Sequence, residues 1–163
     1  MKKLTISVLV LSLVMAFSIV GFGDTATHDV GVSFSEFVSV SLNNTDTVSF
    51  SIDSGTAGQL PADKTDSTKS LDYLALVGSG NNAKIDAKIG SSLPSSYDLK
   101  VEATSVKAQY GTQGSSAGQK TLGTSAKNLI TGIGNVATGN KGADLEYTLS
   151  FNDVPDPSSD GQT

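Results

Sequence analysis

Apolar and polar residues alternate along the chain between residues 30 and 42. Even positions are apolar except at Glu36, and most odd positions are Ser or Gly. A period of two places one set of side chains on a single face of a β-strand. The apolar set comprises Val30, Val32, Phe34, Val38, Val40 and Leu42. The pattern predicts a strand with one buried face, in which Glu36 marks a bulge or a change of sheet.

The same period returns after a turn cluster at residues 43–46. Val48, Phe50 and Ile52 alternate with Thr and Ser, which predicts a hairpin partner for the first strand. Residues 53–69 are polar and predict a long loop. The mostly apolar stretch 71–77 that follows predicts a central, buried strand.

Further alternating stretches predict strands near residues 83–89, 97–103, 106–110 and 145–151. Four tyrosines fall on or near the apolar positions of the predicted strands, and we expect them in the core: Tyr73, Tyr97, Tyr110 and Tyr147. Residues 121–134 have partly helical spacing, but Gly132 and Gly134 oppose a long helix. We expect a strand, a crossover turn and a short apolar stretch there.

The count is seven or eight short strands separated by turn residues. This spacing predicts an all-β fold, an antiparallel β-sandwich of immunoglobulin-like type over residues 24–151. A jelly roll or a small barrel is the alternative. Residues 152–163 are polar, contain two Pro, and predict a flexible tail.

The first 23 residues have a different character. Lys2 and Lys3 precede an apolar stretch from residue 4 to 20, and Gly21-Phe22-Gly23 supplies small residues two apart. These features predict a helical signal peptide, residues 1–23, that is cleaved on export. An uncleaved membrane anchor is the alternative. After cleavage we expect a secreted protein, extracellular or at the cell surface after transit through the periplasm, without membrane contact.

Composition argues against several functions. The 163-residue chain has no Cys, Arg or Trp, and its net charge is -5. Zero Cys excludes disulfides and thiolate metal sites, and an acidic chain without Arg argues against nucleic-acid binding. We predict no enzyme, because His28 is the only imidazole and no Gly-x-Ser-x-Gly motif is present. A carboxylate mechanism would need Glu36, Glu102 or Glu146, and the last two are expected on outward faces.

Oxygen-rich segments leave a calcium site open. Asp63 and Asp66 lie in the predicted loop, and the tail carries Asp153, Asp156 and Asp160 as weak calcium candidates. No EF-hand spacing is present, and the same residue types are ordinary turn formers. No other cofactor is expected.

Two segments carry a resemblance to a known group of proteins. Residues 124–137, followed by Leu145-Glu146-Tyr147-Thr148-Leu149, and residues 83–87 with Leu93-Pro94 resemble uncharacterised secreted bacterial β-sandwich proteins. The resemblance implies architecture more than function. Those sequences carry another strand after the Tyr-Thr-Leu segment, whereas this chain continues as a polar tail. A sandwich without that strand would expose an apolar groove and an unpaired edge.

In fimbrial and filament subunits, to which the chain has a weaker similarity in kind, a neighbour's strand fills such a groove. We therefore predict a structural surface or filament subunit that polymerises with itself by β-strand exchange. The strand-exchange candidates are Val30, Val32, Phe34, Val38, Val40 and Leu42. The competing interpretation is that residues 25–42 pair within their own domain. The alternative function is a secreted binding module that holds calcium, a carbohydrate or a protein ligand at its loops.

Overall fold

The computed structural model describes residues 31–140 and 142–155. The predicted signal peptide and most of the predicted tail lie outside these residues. The described chain forms ten strands: β1 (Phe37–Leu42), β2 (Lys64–Leu76), β3 (Ala83–Ala87), β4 (Tyr97–Thr104), β5 (Tyr110–Gly111), β6 (Ser115–Ser116), β7 (Lys120–Thr121), β8 (Lys127–Ile133), β9 (Val136–Ala137) and β10 (Ala143–Phe151). Within the same ranges, no helix has the length and apolar character needed to span a membrane.

Every strand pairing is antiparallel, and the strands form two sheets. The larger sheet contains β1, β2, β4, β5, β7, β9 and β10, and the smaller has the order β3-β8-β6. The predicted all-β antiparallel fold is therefore confirmed, and the two sheets agree with a β-sandwich.

β2 is the strand around which the larger sheet is built. Leu71 pairs with both β1 and β10, and Leu74 pairs with both β1 and β9. Because a residue has one neighbour on each side, β9 and β10 share one edge of β2 and β1 takes the other. Directly before β10, the Gly142 N–H donates to the carboxylate of Asp72 on β2 at 2.9 Å.

The core is made by residues that face the space between the sheets. β2, β4 and β10 contribute alternate residues from the larger sheet, as period-two geometry requires. The buried apolar set is Leu71, Tyr73, Ala75, Ile85, Val101, Ala103, Leu122, Leu129, Ile130, Ile133, Val136, Ala143 and Leu145. Each fully buried large aliphatic side chain stabilises the fold by about 1.5–3 kcal/mol.

The predicted hairpin at the start of the domain is wrong. Residues 43–63 contain no strand, and β1 pairs instead with residues 71–76 of β2. Val48 and Phe50 are half-buried without joining a sheet. The predicted loop 53–69 was too long, because β2 begins at Lys64.

Other predictions are corrected in detail. The first strand is Phe37–Leu42 and not the whole of residues 30–42. Residues 127–133 form the strand β8 despite their helical spacing. Its pairing with β3 is irregular, with register shifts, and Gly132 adopts a φ of 69° that a residue with a side chain rarely takes. The chain bends directly after β4 at Ser105, which has a φ of 51°.

Candidate functional site

β1 is an edge strand, and its hydrogen-bonding direction follows from the register. Asn43 N–H donates to Ser70 C=O at 2.9 Å, and β1 continues the same register along β2. Hydrogen-bonded positions recur every second residue in an antiparallel pair, so Ser41 and Ser39 also face β2. The backbone groups of Val38, Val40 and Leu42 therefore point away from β2. Within residues 31–140 and 142–155, no strand pairs with that edge.

Alternate side chains of β1 lie on the core-facing side of the larger sheet, in a region that the smaller sheet leaves partly open. Val38, Val40 and Leu42 lie opposite Ala75, Tyr73 and Leu71, so they share the core-facing side of the larger sheet. Their partners on β2 are at most 3% exposed, whereas these three residues are 46–49% exposed. We call Val38, Val40 and Leu42 the β1 strip. It continues the core-facing side of the larger sheet but is only half covered.

The attachment of β1 to the domain depends mainly on its backbone. All six of its residues are exposed. Each ladder hydrogen bond contributes only about 0.5–1.5 kcal/mol net, because water offers the same groups a partner. β1 is therefore held less firmly than β10, which pairs with β2 on one side and β4 on the other and has no exposed residue.

The strand-exchange candidates fall into two sets. Val38, Val40 and Leu42 lie together in β1, paired with β2 of the same chain. Val32 and Phe34 belong to no strand and are 71% and 82% exposed, and Val30 lies outside the described residues. Between the two sets, the Glu36 carboxylate occupies the space that a Cβ would need at Gly78. Glu36 therefore precedes the strand and does not form a bulge within it.

The opposite face of the larger sheet has a shallow pocket of about 250 Å³. Its lining includes Ser39, Asp72, Leu74 and Ala137. The register places Tyr110 beside Ala137 on this face, and Tyr110 is 67% exposed. The prediction that Tyr110 belongs to the core is therefore wrong, because β5 is a two-residue strand at the rim of the sheet. No sequence signal distinguishes this Tyr from the buried Tyr73.

The calcium candidates are not brought together by the described residues. The Asp153 carboxylate accepts the Val154 N–H at 2.7 Å, while Asp156 and Asp160 lie outside the described ranges. Among described residues no group of three potential metal-ligating side chains occurs. The Asp66 carboxylate accepts the Thr68 N–H and hydroxyl, and these bonds lower its pKa.

The three glutamates are divided between two places. Glu102 and Glu146 are directly opposite each other on β4 and β10, on the face away from the core. Glu36 lies against Gly78 in the turn after β2. His28 is outside the described residues.

Comparison with known proteins found no match: no protein-family model, curated protein or solved structure is significantly similar to this chain. The resemblance to secreted bacterial β-sandwich proteins therefore stays a prediction.

Proposed function

We propose that this protein is an exported structural subunit, built on an immunoglobulin-like sandwich, whose copies join by exchanging the N-terminal strand. The observation that carries the proposal is β1, an exposed edge strand paired on one side only. In the exchanged state, β1 leaves its own β2 and forms the same ladder with β2 of a neighbouring copy. Donor and acceptor surfaces differ, so such contacts add head to tail and produce a filament.

The exchange is energetically feasible because the two states contain the same bonds. The register and the half-exposed apolar contacts of β1 are identical within one chain and between two. Opening β1 uncovers less surface than opening a fully buried strand would, since none of its six residues is buried. The released β1 segment already favours the β conformation before it pairs, because of its Ser/Val alternation.

A cysteine pair across β1 and β2 tests the exchange. Ser39 and Leu74 are register partners on the outer face, and hydrogen-bonded antiparallel partners have Cα atoms about 5.5 Å apart, within disulfide range. The chain has no native Cys. We would make the double variant Ser39→Cys/Leu74→Cys from Asp24 onward, assemble it under reduction, and oxidise it. The single variants are the controls.

Covalent multimers on a non-reducing gel would support exchange, since the bond then joins two copies. Oxidation before assembly should instead lock β1 onto β2 of its own chain. Negative-stain electron microscopy should then show no filaments. If the oxidised multimers separate on the gel into monomers, each with its 39–74 disulfide inside one chain, the proposal is refuted.

A second candidate function is supported by one specific observation, the exposed Tyr110 beside the outer pocket. Tyr110 is the register partner of Ala137, a residue that lines this pocket, and an exposed aromatic ring at the rim of a pocket offers a flat face on which a sugar ring can stack. Calorimetry with soluble polysaccharides would test this binding module. Binding lost in Tyr110→Ala and retained in Tyr97→Ala would support it, and equal binding by both variants would refute it.

A further inference from the structure

We infer that the β1 strip is a docking surface for the apolar side of residues 30–34 from a second copy of this chain. The inference rests on the proposed self-assembly and names the surface that the neighbouring copy covers. It adds a contact that strand exchange alone does not supply, because an exchanged β1 would still expose its core-facing side chains.

The two surfaces match in length and in period. The β1 strip places an apolar side chain at every second residue over positions 38–42. Val30, Val32 and Phe34 have the same spacing over residues 30–34. In extended chains both sets repeat about every 6.6 Å, so they can lie face to face as two layers of a sandwich. Gly31 and Ser33 would then face solvent.

Neither surface carries a charge that burial would desolvate. Residues 30–35 and 37–42 contain no Lys, Asp or Glu. The described apolar residues of both segments are exposed by 44–82%, which is unusual for Val, Leu and Phe. Covering one set with the other would remove both from water at once.

Chain length favours a second copy over the same chain as the source. Only Ser35 and Glu36 separate Phe34 from β1. Packed sheets lie about 10 Å apart, and three Cα steps span at most about 11 Å. A straight crossing would leave no residue for the two reversals that stacking on β1 requires. Glu36 is also committed to its position against Gly78. A neighbouring copy has no such restriction.

Mixed single-cysteine proteins test the contact between copies. One preparation carries Phe34→Cys and the other Val40→Cys, so a disulfide linking the two variants can form only between copies. The matched control replaces Phe34→Cys with Ser33→Cys, one residue away and on the opposite face of the segment. Cross-linking to Val40→Cys should be at least tenfold faster from position 34 than from position 33.

Equal rates from positions 33 and 34 would overturn the inference, because docking by one face would then be absent. The inference would also be overturned if the double variant Phe34→Cys/Val40→Cys formed its disulfide only within single chains, both at high dilution and at high concentration. As a second measurement, Val32→Asp should raise the critical concentration for assembly at least tenfold, and Ser33→Asp should change it less than twofold.

The outcomes separate this inference from the proposed function. Suppose that positions 39 and 74 form disulfides between copies, while cross-linking to Val40→Cys is equally fast from positions 33 and 34. Strand exchange would then be retained and the docking surface rejected. Preferential cross-linking from position 34 with an internal 39–74 bond would retain the docking surface and reject exchange.

Discussion

At the residue scale, Thr138 serves the backbone of the central strand where β9 ends. Tyr73 N–H donates to the Thr138 hydroxyl at 2.9 Å, and Thr138 N–H donates to Tyr73 C=O at 3.1 Å. Both residues are buried. The hydroxyl thus replaces the carbonyl that a continuous strand would present to the Tyr73 N–H at this position.

Replacing this hydroxyl should destabilise the domain. Thr138→Val keeps the shape but leaves the buried Tyr73 N–H without an acceptor, so we expect a loss of about 1–3 kcal/mol in the free energy of unfolding. Thr138→Ser keeps the acceptor and loses one methyl group, about 0.8 kcal/mol. Urea denaturation at an unchanged m-value measures both. A valine variant as stable as the parent would show that the bond contributes nothing.

Two tyrosines should make the fold sensitive to alkali. Burial raises the pKa of Tyr73 and of Tyr147, and the Asp66 carboxylate raises that of Tyr147 further. In the unfolded chain a Tyr ionises near pH 10. Above that pH the unfolded state loses protons that the folded state retains, so stability should fall as the pH rises from about 10 through the folded pKa values, with no such change below.

The alkaline effect can be assigned with one variant. Tyr147→Phe should make the decrease in melting temperature above about pH 10 less steep, because the variant lacks one phenol whose pKa is raised in the folded state. Tyr110→Phe, which removes an exposed phenol, is the matched control. If the two variants lose stability with the same slope as the parent, the buried phenol of Tyr147 is not responsible.

At the element scale, sequence periodicity identified buried faces better than it identified partners. The strands at 97–104 and 143–151 were predicted nearly to their ends, because apolar and polar residues alternate along each stretch of sequence. The alternating residues 48–52 form no strand, because alternation reports a face and says nothing of which backbone will pair with it. The β1 strip was found as a pattern, but its half-open environment depends on how far the smaller sheet extends, which no local pattern encodes.

The pairing of β4 with β10 contains an unfavourable contact that can be corrected. Glu102 and Glu146 face each other directly, and like charges at opposite positions are destabilising. Glu102→Lys should raise the free energy of unfolding by about 0.2–1 kcal/mol, and Glu102→Gln by less. Thermal melts at low and high salt would measure this, since salt should reduce the gain. A lysine variant no more stable than the parent would contradict the expectation.

At the scale of the whole molecule, charge should oppose assembly. Without residues 1–23 the chain has 9 Lys against 16 acidic residues. In the proposed assembly, copies joined through uncharged strands would still repel one another, over about 30 Å at 0.01 M salt and about 8 Å at 0.15 M. We expect the critical concentration for assembly to fall several-fold between these conditions, as measured by sedimentation. Assembly that weakens with salt would instead mean that ion pairs join the copies.

The neighbours of β2 also determine when the domain can fold. β2 pairs with β10, although Leu71 and its partner Ala143 are about 70 residues apart in the chain. During synthesis β2 emerges from the ribosome long before β10, so the pairing between these two strands can form only after the last strand has been made. Pairing at such sequence separation is intrinsically slow. If the protein is exported as proposed, a chain whose transport begins before its C-terminal segment leaves the ribosome would cross as an extended polypeptide, and its sheet would form on the far side.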